Sequence, residues 1–139
     1  MKINPYIHFP GNAEEAFNLY QSALGGEIVE LMRFKDMGPN PNIQEHELNK
    51  IAHIALNIAP DQVLMGSDVP KFMGDFNLKE NRSKITVSTN SKDESNRIYE
   101  ILSKNGEIEM PIGDSPWGSY FAMFRDQFGI EWMIEFRYN

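Results

Sequence analysis

The strongest constraint in this chain is an order of elements that occurs twice. Asn12-Ala13-Glu14-Glu15 predicts a helix start, with an Asn cap and a Glu three positions later in the manner of a capping box. Ala13, Ala16, Phe17, Tyr20, Ala23 and Leu24 follow at helical spacing, and Gly25-Gly26 supplies the stop. Ser91-Lys92-Asp93-Glu94 repeats the device, with Ile98, Ile101 and Leu102 as the apolar stripe and Asn105-Gly106 as the end. Strand patterns surround both helices in matching order. Residues 3–9 precede the first helix, and 27–34, 51–58 and 63–67 follow it; 84–89 precede the second, and 107–112, 120–125 and 130–136 follow it. Each half therefore reads strand, helix, strand, strand, strand. The pattern is a degenerate tandem duplication, kept in element order and lost in residue identity.

The expected fold class is α+β, with two tandem βαβββ modules forming a mixed sheet with a concave cleft. One domain spans 1–139: a first module 1–67, a linker 68–82 and a second module 83–139. Each module has one helix to cover one sheet face, so the other faces are left to form a shared hollow, a natural place for a small molecule. Residues 35–50 (with Met37-Gly38-Pro39-Asn40-Pro41-Asn42) are too polar and broken for a regular element. In the linker, Val69, Phe72, Met73 and Phe76 are unusually apolar. They either pack back onto the domain or cover a cavity or partner surface.

Composition removes several classes of function. In 139 residues, 13 Lys and Arg face 20 Asp and Glu, a formal charge of −7 with no basic patch, which argues against a nucleic-acid partner. No apolar run approaches the roughly 20 residues of a membrane span, and no signal-peptide core opens the sequence, so no membrane partner and a cytoplasmic location are expected. The chain has no cysteine, hence no disulfide, thiol nucleophile or thiolate-bound zinc. No Gly-x-Ser-x-Gly elbow, phosphate-binding Gly-rich loop or His-Glu-x-x-His is present. Asp114-Ser115-Pro116-Trp117 reads as a turn entering a strand.

The duplicated grammar and a set of local motifs resemble the vicinal-oxygen-chelate superfamily of glyoxalase I, bleomycin-resistance proteins and extradiol dioxygenases. Within it the chain is most similar to the PhnB-like family. The matching stretches are Pro5-Tyr6-Ile7-His8-Phe9, Asn12-Ala13-Glu14-Glu15-Ala16, Tyr20 with Ala23-Leu24-Gly25-Gly26, His53-Ile54-Ala55-Leu56, Leu64-Met65-Gly66-Ser67-Asp68, Trp117-Gly118, and Asp126-Gln127-Phe128-Gly129 with Trp132. Some relatives carry the label of a 3-demethylubiquinone 3-methyltransferase, for which this sequence has no Gly-rich strand-to-helix turn.

The resemblance implies a divalent metal held by His and Glu from both modules, acting as a Lewis acid. Carried over position by position, that set is broken. The place of the last-strand Glu, four residues after Gly129, is Met133, and a thioether is a poor ligand for such ions. Where many relatives carry a His, the chain reads Ser83-Lys84-Ile85, and the first-strand position falls on Pro5. Strand alternation instead puts Tyr6 and His8 opposite Ile3, Ile7 and Phe9, and His53, Ala55 and Asn57 opposite Ala52, Ile54, Leu56 and Ile58, so His8 and His53 can share a surface. His46 lies in a polar connector and is expected in solvent. In the last strand, Glu131, Met133 and Glu135 oppose Ile130, Trp132, Ile134 and Phe136. Trp117, Tyr120, Phe121, Met123, Phe124 and Met133 gather around the last two strands; alternation puts Phe121 and Met123 opposite Tyr120 and Phe124, so one set is core and the other is free to give a cleft an apolar, adaptable lining.

The expected ligand-cleft residues are thus His8, His53, Trp117, Phe121, Met133 and Glu135, with no metal and no cofactor. The leading expectation is a metal-free protein that binds a small molecule in an apolar cleft and, like its relatives, forms a homodimer, with the apolar linker as a contact. One alternative is a metal-dependent lyase, isomerase or dioxygenase using a divalent metal on His8, His53 and Glu135 or Glu131. Another is sequestration of a large cationic antibiotic, which the −7 charge would assist.

Overall fold

A computed structural model describes residues 1–138. They form two compact units, 1–76 and 77–138. The linker is therefore divided: Asp68 is the last residue of a strand, 69–76 belong with the first unit and 77–82 with the second.

The first unit runs β1 (Tyr6–Phe9), α1 (Ala13–Leu24), β2 (Glu27–Arg33), β3 (Ile51–Ala59) and β4 (Gln62–Asp68). Its sheet has the order β1-β4-β3-β2, with β1 parallel to β4 and the other pairs antiparallel. The second unit repeats this with β5 (Ile85–Ser88), α2 (Lys92–Ser103), β6 (Glu107–Asp114), β7 (Ser119–Arg125) and β8 (Glu131–Arg137), in the order β5-β8-β7-β6. The fold is α+β, two tandem βαβββ modules, each with its own four-stranded mixed sheet. Among the described residues no helix is long and apolar enough to cross a membrane.

α1 packs on β3 and β4 through Ala13, Ala16, Phe17, Tyr20 and Ala23. Its alanines let the helix sit close, and Phe17 meets Phe9 edge-on with ring centroids 6.1 Å apart. Gly66 makes room for that ring: a Cβ there would stand 2.8 Å from Phe17 Cε1 and 2.8 Å from the Ile7 carbonyl. Burying Phe9, Phe17, Tyr20, Leu56 and Ile54 is worth about 1.5–3 kcal/mol each and holds the helix to this face. α2 uses Ser95, Ile98 and Leu102 in the same way, and Tyr99 meets Phe124 edge-on at 5.7 Å.

Four local expectations are corrected. β1 begins at Tyr6 and Ile3 is 93% exposed: Pro5 has no N–H to give to the sheet, and its carbonyl takes only the Met65 N–H. Asn12 does not cap α1 with its side chain; Asp68 Oδ1 takes the Ala13 N–H at 2.9 Å instead. The polar connector contains two 3-10 turns, Phe34–Met37 and Glu45–Glu47, the second held because Glu47 accepts the N–H groups of Gln44 at 3.0 Å and Lys71 at 2.9 Å. Phe72 and Met73 do not pack back: they are 52% and 65% exposed, while Val69 and Phe76 are half-buried. Ser91 caps α2 as its sequence implies, accepting the Glu94 N–H at 3.0 Å.

Candidate functional site

Strand alternation and register place both histidines on the sheet face turned away from α1. Across the first sheet, Tyr6 pairs with Met65 and Met65 with Ala55, while His8 pairs with Ser67 and His53 with Met32. Ile7, Phe9, Ile54 and Leu56 take the opposite face and are buried against the helix side. On the free face the three rings form a cluster. Tyr6 meets His8 edge-on at 5.5 Å and stacks on His53 at 5.7 Å with 25° between the planes. Tyr6 Oη lies 3.1 Å from His53 Nδ1, and His53 Nε2 lies 3.4 Å from Glu30 Oε2.

A carboxylate only accepts, so the tautomer that suits both contacts carries its hydrogen on Nε2, facing Glu30, and leaves Nδ1 to accept the Tyr6 hydroxyl. Tyr6 and His8 are exposed and His53 is half-buried, so the cluster is open to a ligand yet held in one geometry. His46 is exposed elsewhere in the unit and takes no part in the cluster.

The candidates of the second unit lie on the face of its sheet turned away from α2. Tyr120 and Phe124 face the helix, the former donating to Asn96 Oδ1 at 2.6 Å. Phe121, Met123, Met133 and Glu135 therefore share the other face, where Phe121 pairs with Glu135 and Met123 with Met133. Trp117, 57% exposed on the turn between β6 and β7, meets Phe121 edge-on at 5.0 Å. Glu135 contacts Arg137 Nε at 3.3 Å.

Glu131 is engaged in structural contacts. Its buried carboxylate meets Arg125 Nη2 at 2.9 Å and Lys84 Nζ at 3.0 Å, with Glu109 at 3.5 Å from the same ammonium. Burial pushes its pKa up, but the bond with Lys84 and the charges of Lys84 and Arg125 outweigh it, leaving the group below its ordinary 4.5. Arg125 also donates to the carbonyls of Gly129 at 2.7 Å and Glu80 at 3.1 Å, fastening residues 77–82 to the second unit.

The donors present fit a divalent metal poorly. His53 Nδ1 already bonds the Tyr6 hydroxyl, the Glu131 carboxylate is held by two cations, and Met133 offers a thioether. Among the described residues no three His, Cys, Asp or Glu side chains gather as a metal site.

Two members of the ring cluster were not among the residues expected from sequence. Tyr6 is signalled by its place two residues before His8 on the same strand face. Glu30 has no such signal, because a register shift between Ile28 and Glu30 decides which face it takes.

Comparison with known proteins gives a consistent set of relatives. The sequence model of the Glyoxalase/Bleomycin resistance protein/Dioxygenase superfamily matches residues 2–134. Protein YjdN of Escherichia coli (strain K12) is 27% identical over 142 residues, covering 96% of this chain and 94% of its own length. The crystal structure of protein PA1353 from Pseudomonas aeruginosa superposes with a TM-score of 0.88 at 32% identity, covering 100% of this chain and 99% of that one. The structure of a PhnB protein from Bacillus cereus gives a TM-score of 0.80 at 25% identity over 98% and 99% of the two chains.

Proposed function

The chain belongs to the Glyoxalase/Bleomycin resistance protein/Dioxygenase superfamily, and from that premise we propose that it binds a small organic molecule without a catalytic metal. The observation that carries this reading is the Tyr6–His53–His8 cluster, in which His53 Nδ1 bonds the Tyr6 hydroxyl and Nε2 lies 3.4 Å from Glu30. Ring faces, a phenol and imidazole edges recognise a flat, partly polar ligand by stacking and hydrogen bonding. In the second unit the exposed Trp117 and the half-buried Met133 offer further surface of the same kind, while Phe121, in edge-on contact with Trp117, is buried.

A polarity-sensitive naphthalene sulfonate dye and a metal assay test the reading together. The untagged native protein is expected to bind the dye, to bind it several-fold more weakly as Tyr6→Ala or His53→Ala, and to be indifferent to EDTA. Absence of dye binding, or stoichiometric Zn, Ni, Mn or Fe in the purified protein, overturns the reading. The proposal extends to a homodimer, for which the exposed Phe72 and Met73 supply contact surface. Light scattering that gives the mass of a single 16.0 kDa chain at micromolar concentration would refute that part.

A further inference from the structure

The geometry points to a function for the ring cluster beyond recognition: Tyr6, His53 and Glu30 form an acid–base relay whose reactive end is the Tyr6 oxygen. The inference rests on the binding reading, since it places a proton-exchanging group at the same cluster.

The relay has the three parts that an activated side chain requires: a reacting oxygen, a base within hydrogen-bond reach, and a third group that orients the base. Tyr6 Oη is 3.1 Å from His53 Nδ1, within the range for direct proton transfer. Glu30 stands on the other side of the ring, 3.4 Å from Nε2, where it selects the tautomer with Nδ1 free to accept and balances the imidazolium that forms. Stacking of the Tyr6 and His53 rings at 25° keeps the phenol from swinging away from its base. All three side chains come from different strands, β1, β3 and β2, of one rigid sheet, which fixes their spacing better than a loop would.

The chemistry is a proton transfer that balances without a co-reactant. As a bound ligand gives its proton to Tyr6 Oη, the Tyr6 proton passes to His53 Nδ1. The ligand becomes an anion and His53 an imidazolium facing Glu30. The ligand class is a weakly acidic small molecule, one with an acidic hydroxyl or an enolisable carbonyl. Such a ligand approaches a chain of net charge −7 as a neutral species and acquires its charge only at the relay.

An aryl sulfonyl fluoride reads the same activation through a permanent mark. The Tyr6 oxygen attacks sulfur, the S–F bond breaks, fluoride leaves, and the phenolic proton goes to His53. Mass spectrometry of digests then gives a rate for each tyrosine. Tyr138 is the internal reference: it is 41% exposed against 44% for Tyr6, lies in the other unit, and its hydroxyl bonds to Asp114. His53→Gln keeps a hydrogen-bond acceptor beside the phenol but cannot take the proton. It is expected to slow Tyr6 labelling at least about tenfold and leave Tyr138 unchanged. Glu30→Gln, on an exposed carboxylate, slows Tyr6 labelling by a smaller factor. Tyr6 labelling as fast in His53→Gln as in the native protein, with Tyr138 also unchanged, overturns the relay. A native protein that binds no dye yet labels at Tyr6 in a His53-dependent way rejects the binding reading and keeps the relay; dye binding with His53-independent labelling does the reverse.

Discussion

Asp68 carries more of the first unit than any residue the cap pattern singled out. Its two carboxylate oxygens accept the N–H of Ala13, at the start of α1, and the N–H of Ile51, at the start of β3, each at 2.9 Å. One buried side chain at the end of β4 thus joins three elements. Asp68→Ala leaves two buried donors unpaired and is expected to cost about 1–3 kcal/mol or more in urea unfolding, with Asp68→Asn losing less because its amide oxygen still accepts. Asn12→Ala is expected within about 0.5 kcal/mol of the native protein, since its side chain makes no cap bond. The reversal has a backbone cause. Ser91 is extended (φ −158°, ψ 160°), as a side-chain cap requires, whereas Asn12 sits at φ −116°, ψ 26° directly after Gly11 at φ +131°. A sequence pattern names a residue able to cap; the dihedral angle of that residue decides whether it does.

The same limit governs strands. Alternation was enough to separate Tyr6 and His8 from Ile7 and Phe9, and Phe121 and Met123 from Tyr120 and Phe124, because each strand has a face buried against a helix. The order of elements was readable for a related reason: apolar periodicity changes at every boundary in both halves. Register across strands was not readable. Glu30 reaches His53 only because the pairing shifts after Ile28, and Tyr6 reaches it only across β4. Gly66 is where β1, β4 and α1 meet, so it tests how firmly the register holds the cluster. Gly66→Ala would press a methyl against the Ile7 carbonyl and the Phe17 ring, and β1 must shift to relieve it. The expected outcome is a loss of about 1–3 kcal/mol in urea unfolding together with slower sulfonyl fluoride labelling of Tyr6. Loss of stability with unchanged labelling would show that the cluster does not depend on the placement of β1.

Across the whole chain, acid sensitivity follows from carboxylates held below their ordinary value of 4.5 in both units. In the first, Glu14 is lowered by its bond with Arg33, and Glu47 by the N–H groups of Gln44 and Lys71. In the second, Glu107 is lowered by Lys79, and Glu131 by Lys84 and Arg125 against the opposing effect of burial. A group lowered by folding takes up its proton first in the unfolded chain. Its contribution to stability is therefore full above about 4.5 and is lost as the pH falls through the folded value. The exposed pairs Arg33–Glu14 and Lys79–Glu107 are weakened by salt, whereas Glu131, buried between two cations, is screened much less. Urea unfolding is expected to show a plateau near neutral pH and a steady loss of stability below about 4.5 that persists at high salt. Glu131→Gln should cost about 3–5 kcal/mol at neutral pH by stranding Arg125 and Lys84, and should then lose less on acidification than the native protein does. The two curves converge as the native Glu131 becomes protonated, because below that point both proteins present a neutral side chain to the same two cations. Parallel curves would instead mean that the acid transition is controlled by the remaining carboxylates and that the Arg125–Glu131–Lys84 bridge contributes nothing to it.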